Sequence, residues 1–413
     1  MTNHDSLTRR AFIGQAGAVA VPLLAATSST LALEADSPTV PSGPVGRKLR
    51  IGIVGLGNRG SWIAGLFQEH PGYEITALAD YFEETVNTVG DKLDVPSAKR
   101  FSGLSGYKRA LDSGVEALVL EGIPYFYPEQ TAAAIDAGCH VYVAKPFAVD
   151  VPAVFKMQAL AKKATEKKLC LRVDYQLPMD PANQEVKKRI GEDALGGLAH
   201  IFSGGTCGEL PDRKPGPTIE DLFKRSWYSH IAMSGDLLLL YDIHIIHGLT
   251  WVTGQRAVAA TGYRRIVRPG PHGDRTDCGG AVFQMSDGTC WTHVTQLLKN
   301  NAVMYNLEAD LMGRAATAHL AYNGKVFIRG GSKHYSGAVS PGIYADGAKA
   351  NIAEFHRCVT EGEFDNLSAH LSVDSHLTAI LGREAMLRKT WLTMDEVIKE
   401  NKTREVDLRG LKV

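Results

Sequence analysis

The sequence predicts an α/β protein: a doubly wound parallel sheet in the N-terminal half, then a C-terminal α/β domain with a large, mostly antiparallel open sheet. Three observations carry that prediction. A strand of buried type runs straight into a glycine-rich turn and a helix between 49 and 70. Strands and helices then alternate as far as 173, and from 174 onward the strands become shorter and more polar. Strand–helix alternation builds parallel sheets covered on both faces, whereas short strands joined by turns suit an antiparallel sheet with one open face.

The first 46 residues stand apart from that pattern. Arg9-Arg10-Ala11-Phe12 precedes an apolar run from Ala16 to Ala26, and small residues follow up to Ala35. A charged start, a short apolar stretch and small residues make a signal peptide at 1–35, too short to span a membrane. The adjacent arginines resemble the twin-arginine export signal, so a periplasmic location is expected. The Pro/Ser/Gly-rich stretch 36–46 reads as linker. It leaves 47–173 as the first domain and 174–413 as the second.

Leu49-Arg50-Ile51-Gly52-Ile53-Val54 is mostly apolar, as a strand buried on both faces should be. Gly55-Leu56-Gly57-Asn58-Arg59-Gly60 follows at once, and a helix continues to His70. The three glycines allow a tight turn, close approach of backbone to a pyrophosphate, and close helix–strand packing. The anion then meets free N–H groups and the positive end of a helix dipole. Gly55, Gly57, Asn58, Arg59 and Gly60 are therefore the expected cofactor-binding turn of a Rossmann domain. The next strand, 73–79, ends in Asp80. An acid there accepts hydrogen bonds from ribose hydroxyls and repels a 2′-phosphate. Tyr81 and Phe82 follow it rather than an arginine, so NAD is expected over NADP. Capping of the following helix is the alternative role for Asp80.

Strands at 117–120, 140–143 and 169–173 alternate with helices at 128–137 and 151–168. Ligands on such sheets lie beyond the carboxyl ends of the strands, where Gly55, Asp80, Pro124 and Lys145 all fall. Pro146 fixes the turn that aims Lys145. A lysine there can hydrogen-bond a substrate hydroxyl and favour its alkoxide.

Several segments resemble the Gfo/Idh/MocA family, named for glucose–fructose oxidoreductase and inositol dehydrogenase. They are the turn 55–60, Ile123-Pro124-Tyr125-Phe126-Tyr127-Pro128-Glu129, and Val141-Tyr142-Val143-Ala144-Lys145-Pro146. The last is similar to the family's E-K-P motif with alanine in place of the glutamate. Ser234-Gly235-Asp236 and Asp242-Ile243-His244-Ile245-Ile246-His247 resemble its segment ending in H-x-x-D. The resemblance implies a nicotinamide-dependent oxidoreductase acting on a sugar or polyol, with an open sheet that forms an oligomer interface. It also assigns the motif histidine to His244.

A helix is expected from 237 to 251, with Tyr241, His244 and His247 along one face. Dehydrogenation needs a base for the hydroxyl proton, and histidine suits that work. Lys145 and His244 are thus the candidate catalytic pair. A solvated strand-end lysine and a packed helical histidine are the plain alternatives. Relatives place an acid four residues before the histidine and an aspartate three after it; this chain has Leu240 and His247. Asp242 is expected on another helical face. Arg225, Trp227, Tyr241 and His247 are candidate substrate contacts, with packing as the equal alternative for Arg225 and Trp227.

Lysine plus arginine equals aspartate plus glutamate at 45 each in 413 residues. No global charge field therefore recruits nucleic acid or anionic membrane. The six cysteines form no C-x-x-C pair, which argues against a zinc ribbon, and no metal site is expected. Export away from free cofactor implies tightly held NAD, recycled in place between two substrates. Two other classes fit the same residues: an NAD-dependent glycosidase that oxidises, eliminates and re-reduces, and an NAD-containing binding protein with weakened catalysis.

Overall fold

The computed structural model describes residues 47–210, 212–216, 218–300, 305–340 and 343–413. The signal segment 1–35 and the linker 36–46 lie outside the described residues.

Six parallel strands form the first sheet: β1 (Leu49–Val54), β2 (Tyr73–Asp80), β3 (Arg100–Ser102), β4 (Ala117–Leu120), β5 (His140–Ala144) and β6 (Leu171–Asp174). Their spatial order is β3-β2-β1-β4-β5-β6. The order reverses between β1 and β4, which opens a crevice at the carboxyl ends of those two strands. Ile51, Ile53, Leu118 and Val119 in these strands are fully buried, the reason the runs read as continuously apolar.

The second sheet has nine strands in the order β14-β13-β12-β11-β7-β10-β9-β8-β15. Its central pair, β7 (Leu198–Cys207) and β10 (Cys290–Leu297), is parallel. The others, β8 (Ala257–Arg265), β9 (Cys278–Met285), β11 (Asn306–Gly313), β12 (Ala316–Ala321), β13 (Gly324–Gly330), β14 (Tyr335–Ser340) and β15 (Leu392–Thr393), pair antiparallel. Phe202, Val282 and Tyr263 stand exposed on its outer face.

One helix, Leu367–Arg388, joins the two halves. It is buried around most of its circumference, packing on β8, β9, β6 and the helix Val151–Glu166. Its polar side chains bond inward. His376 donates from Nδ1 to Ser372 O at 2.7 Å and accepts the Phe147 N–H at Nε2 at 3.0 Å. Burial pushes that imidazole down to about 3, so it stays neutral and keeps both roles. Arg383 donates to Val149 O at 2.7 Å and Gly235 O at 3.1 Å. The helix thus anchors both the segment after Lys145-Pro146 and the turn before His244.

The chain crosses the expected boundary at 173/174 more than once. Helix Ile343–Glu361 packs Ala348, Ile352 and Phe355 into the same core as Ile51, Ile53 and Tyr142. C-terminal sequence therefore completes the first domain's core.

The helix expected at 237–251 is broken. It forms as Leu237–Leu240 and Ile243–Thr253, with Tyr241 between them at φ −120°, ψ −57°. The break lets Asp242 turn beneath the second sheet, where its Oδ2 meets His293 Nε2 at 3.0 Å. A Cβ at Gly205 would stand 1.8 Å from Asp242 Oδ1, so only glycine admits the carboxylate. Tyr241 and His244 accordingly do not share a helical face. Tyr241 instead donates its hydroxyl to Asn306 Oδ1 at 2.6 Å.

Candidate active site

The crevice between β1 and β4 is a cavity of about 690 Å³ lined by Gly55, Gly57, Asn58, Arg59, Gly60 and Asp80 among others. Its floor is the glycine turn. Gly55 lies at φ +88°, and a Cβ at Gly60 would stand 1.9 Å from Gly55 O. A Cβ at Gly57 would meet nothing within 4 Å, so the turn offers bare backbone to the cavity. Gly57 caps the helix Asn58–Glu69, whose first N–H groups are free for an anion. This cradle fits a dinucleotide pyrophosphate.

Asp80 ends β2 beside the turn. It accepts Leu56 N–H at 2.7 Å and Phe82 N–H at 3.0 Å, so it shapes the glycine turn as well as lining the cavity. Burial pushes its carboxyl up, opposed by those backbone bonds. Each oxygen keeps a lone pair for a ribose hydroxyl. Pro124 is buried at the start of the short turn Pro124–Phe126, which places Ile123 and Phe126 on the cavity wall.

The outer wall is built by residues distant in sequence. Trp227 lines the cavity and packs in one apolar cluster with Tyr81, Phe82, Phe223, Leu408 and Leu411. Tyr81 donates its hydroxyl to Glu220 at 2.6 Å and accepts Lys412 N–H at 3.0 Å, while Leu104 N–H bonds Lys412 O at 2.9 Å. A strap formed by the last residues of this sequence therefore lies over the β2 end of the cleft. Trp227 sits there, on the Asp80 side. The side chain of Arg225 lies outside what the structure describes.

Lys145 follows β5, joined to Pro146 by a cis peptide. Its Nζ donates to Leu240 O at 2.7 Å, the carbonyl that ends the short helix Leu237–Leu240. Burial and then the Arg59 charge push the ammonium down to about 7, against the pull of Asp174, Asp242 and Glu121. His244 is buried, and its Nδ1 has no hydrogen-bond partner among the described residues. Burial, Lys145 and Arg59 hold it well below the usual histidine range. It is a neutral imidazole, flanked by Tyr322 at 4.8 Å between ring centroids.

His247 lies elsewhere. Its ring stacks on Tyr175 at 3.7 Å, and Nδ1 meets Ser375 Oγ at 3.2 Å. It borders a separate cavity of about 230 Å³ together with Arg172 and Asn351. These contacts are those of a packing residue.

Sequence reading passed over the acids of the centre. Arg59 forms ion pairs with Glu121, at 3.1 Å, and with Asp174, both fully buried carboxylates. Its guanidinium also lies against the Trp62 and Tyr344 rings, at 5.7 and 5.5 Å from their centroids. The available signal was position, since Glu121 and Asp174 both fall at carboxyl ends of strands. Among the described residues, no group of three or more His, Cys, Asp or Glu is placed to hold a metal ion, and no helix is long and apolar enough to cross a membrane.

Residues 49–175 match the model of the family described as an oxidoreductase family with an NAD-binding Rossmann fold, Gfo/Idh/MocA. A curated relative, glycosyl hydrolase family 109 protein 4 of Phocaeicola vulgatus, is 29% identical over 126 residues. That match covers 30% of this chain and only 24% of the relative. The fold is similar to that of the aldose–aldose oxidoreductase of Caulobacter crescentus, with a TM-score of 0.67 and 18% identity over 84% of this chain and 100% of that one. It is also similar to myo-inositol 2-dehydrogenase of Lactobacillus plantarum, with a TM-score of 0.63 and 20% identity over 84% and 99%. The scyllo-inositol dehydrogenase of Lactobacillus casei, solved with NAD(H) and scyllo-inositol, has a TM-score of 0.66 at 18% identity over 84% and 99%. The strand order, the glycine cradle and the matched segment together show residues 49–175 to be a Rossmann domain similar to the NAD-binding domain that this family model describes.

Proposed function

We propose that this protein is an NAD-dependent oxidoreductase acting on a sugar, a polyol or a derivative of one. The observation that carries the reading is the neutral His244 imidazole close to Lys145, its Nδ1 without a hydrogen-bond partner among the described residues, at the carboxyl end of the Rossmann sheet. Bound NAD would supply the hydride acceptor. Lys145 would hold the substrate hydroxyl, and His244 would take its proton. Gly55, Gly57 and Gly60 would seat the pyrophosphate, and Asp80 the ribose, with NAD preferred over NADP because a 2′-phosphate would face that carboxylate.

The strap over the β2 end of the cleft supports a tightly held cofactor, recycled between an oxidised and a reduced substrate. Mass spectrometry of the natively purified protein is expected to find NAD in place. Addition of an oxidisable polyol should then convert it to NADH with a stoichiometry near one. Empty protein that binds NADP at least as tightly as NAD would sink this reading.

The glycosyl hydrolase name of the curated relative favours one second reading, hydrolysis through transient oxidation. Release of aglycone from a glycoside with no net NADH would select it.

We further propose export by the twin-arginine route, supported by Arg9-Arg10 ahead of the apolar run. Replacing both by lysine should hold the protein in the cytoplasm; undiminished periplasmic delivery would show another route.

A further inference from the structure

Residues 401–413 follow the helix Met394–Glu400 as irregular chain, and the two ends of that stretch are fixed in different ways. The near end is charged and rests on buried partners. Arg404 gives its N–H to Asp150 Oδ2 at 2.7 Å, and its guanidinium pairs with Glu384. Asp150 is the buried cap of the helix Val151–Glu166, and Glu384 is buried on the helix Leu367–Arg388. Pulling Arg404 away would leave two buried carboxylates short of a partner, so this end is an anchor.

The far end is held more lightly. Lys412 donates its N–H to the Tyr81 hydroxyl at 3.0 Å, and Leu104 donates its own to Lys412 O at 2.9 Å. Leu411 is buried in one apolar cluster with Phe223 and Met233. The Lys412 ammonium is 3.7 Å from Glu220 but stands largely in water, so that pair adds little. Two neutral hydrogen bonds and one leucine make a latch that local fluctuation can open. Between the ends, Glu405, Asp407, Arg409 and Gly410 are exposed. Asp407 pairs with Arg409, Leu411 N–H bonds Leu408 O at 3.3 Å, and Gly410 bends the chain at φ +89°. Leu408 lines the cleft, as do Tyr81, Leu104 and Phe223 beneath the latch. Tyr81 directly follows Asp80, the acid placed for the ribose, so the latch closes on the adenosine end.

We propose that residues 404–412 are a gate over that end, anchored at Arg404 and latched at Tyr81 and Leu411, and that NAD enters and leaves only when the latch opens. The proposal rests on the NAD reading of the cleft. It makes Tyr81 and Leu411 the residues that set how long the cofactor stays, which a cofactor recycled in place requires. A gate has a kinetic signature that a plain wall lacks. Its opening equilibrium multiplies capture and release alike, so affinity hardly moves.

Stopped-flow fluorescence of NADH binding, and of NADH displacement by excess NAD, tests this on the full chain without any sugar. Leu411→Ala removes most of the buried latch and should speed both capture and release about tenfold or more. Tyr81→Phe removes one hydrogen bond and should speed both about threefold. The Kd should stay within about threefold of wild type in each, because the two rates rise together. Leu411→Met, which refills the same space, should keep the wild-type rates. Amide exchange gives a reading that needs no cofactor: the Leu104 and Lys412 N–H groups should exchange faster in Leu411→Ala. Unchanged rates in both Tyr81→Phe and Leu411→Ala overturn the proposal. So does faster release with unchanged capture, the mark of a wall that touches the cofactor. A chain that binds no NADH overturns it together with the NAD reading. Rates that behave as stated while no sugar or polyol is oxidised leave the gate standing and remove the oxidoreductase reading.

Discussion

Lys145→Met and His244→Phe are each expected to lower polyol-dependent NADH formation about 10²–10⁴-fold, the usual loss when one positioned acid or base is removed. The reason is geometric. Lys145 is held by Leu240 O just after β5, and His244 is buried with its Nδ1 free of any hydrogen-bond partner among the described residues. Neither side chain touches the glycine turn, so NAD affinity should stay within about threefold of wild type in both variants. Stopped-flow absorbance separates the outcomes. Full turnover in His244→Phe would remove the imidazole from the chemistry and leave Lys145 as the only proton-handling group in the scheme.

The second large effect concerns His247. An aspartate there looks from sequence like the restoration of a family carboxylate beside His244, with activity kept or raised. The structure gives the opposite expectation. The ring is stacked on Tyr175, bonded to Ser375 and pushed down to about 3 by burial, with His376 and Lys187 nearby. His247→Asp would bury an acid in an aromatic stack and should cost about 3–5 kcal/mol, seen as a fall in Tm before any change in kcat. The sign of the pH effect follows from the same burial. The folded state holds His247 neutral while the unfolded chain protonates near 6.5, so its contribution is present above 6.5 and is lost as pH falls toward 3. His247→Gln should flatten that acid limb in thermal melts. A stable His247→Asp protein with raised turnover would reverse this assignment.

How much of this was legible in the chain differs between its halves. The Rossmann half follows from local rules. A buried parallel strand must be apolar throughout, and a pyrophosphate turn needs glycines where φ is positive or where a Cβ has no room. Gly55 at φ +88° and Gly60 against Gly55 O meet those demands, so pattern and structure agree residue by residue. Lys145 was legible for the same reason, because the end of a parallel strand is where such sheets bind ligands.

The chemistry of the centre depended on neighbours far away in sequence. Periodicity made 237–251 one helix, yet Gly205 on β7 left a space that draws Asp242 out of it toward His293. His247 fell on the expected helix but faces Tyr175 and Ser375, partners supplied by the residue after β6 and the helix Leu367–Arg388. Sequence alone determined the doubly wound parallel sheet, the glycine turn and the place of Lys145 just after a strand of that sheet. Only the tertiary structure decided which acids border that strand end, because Glu121, Ala144 and Asp174 become neighbours through strand register, and a register is a property of the assembled sheet.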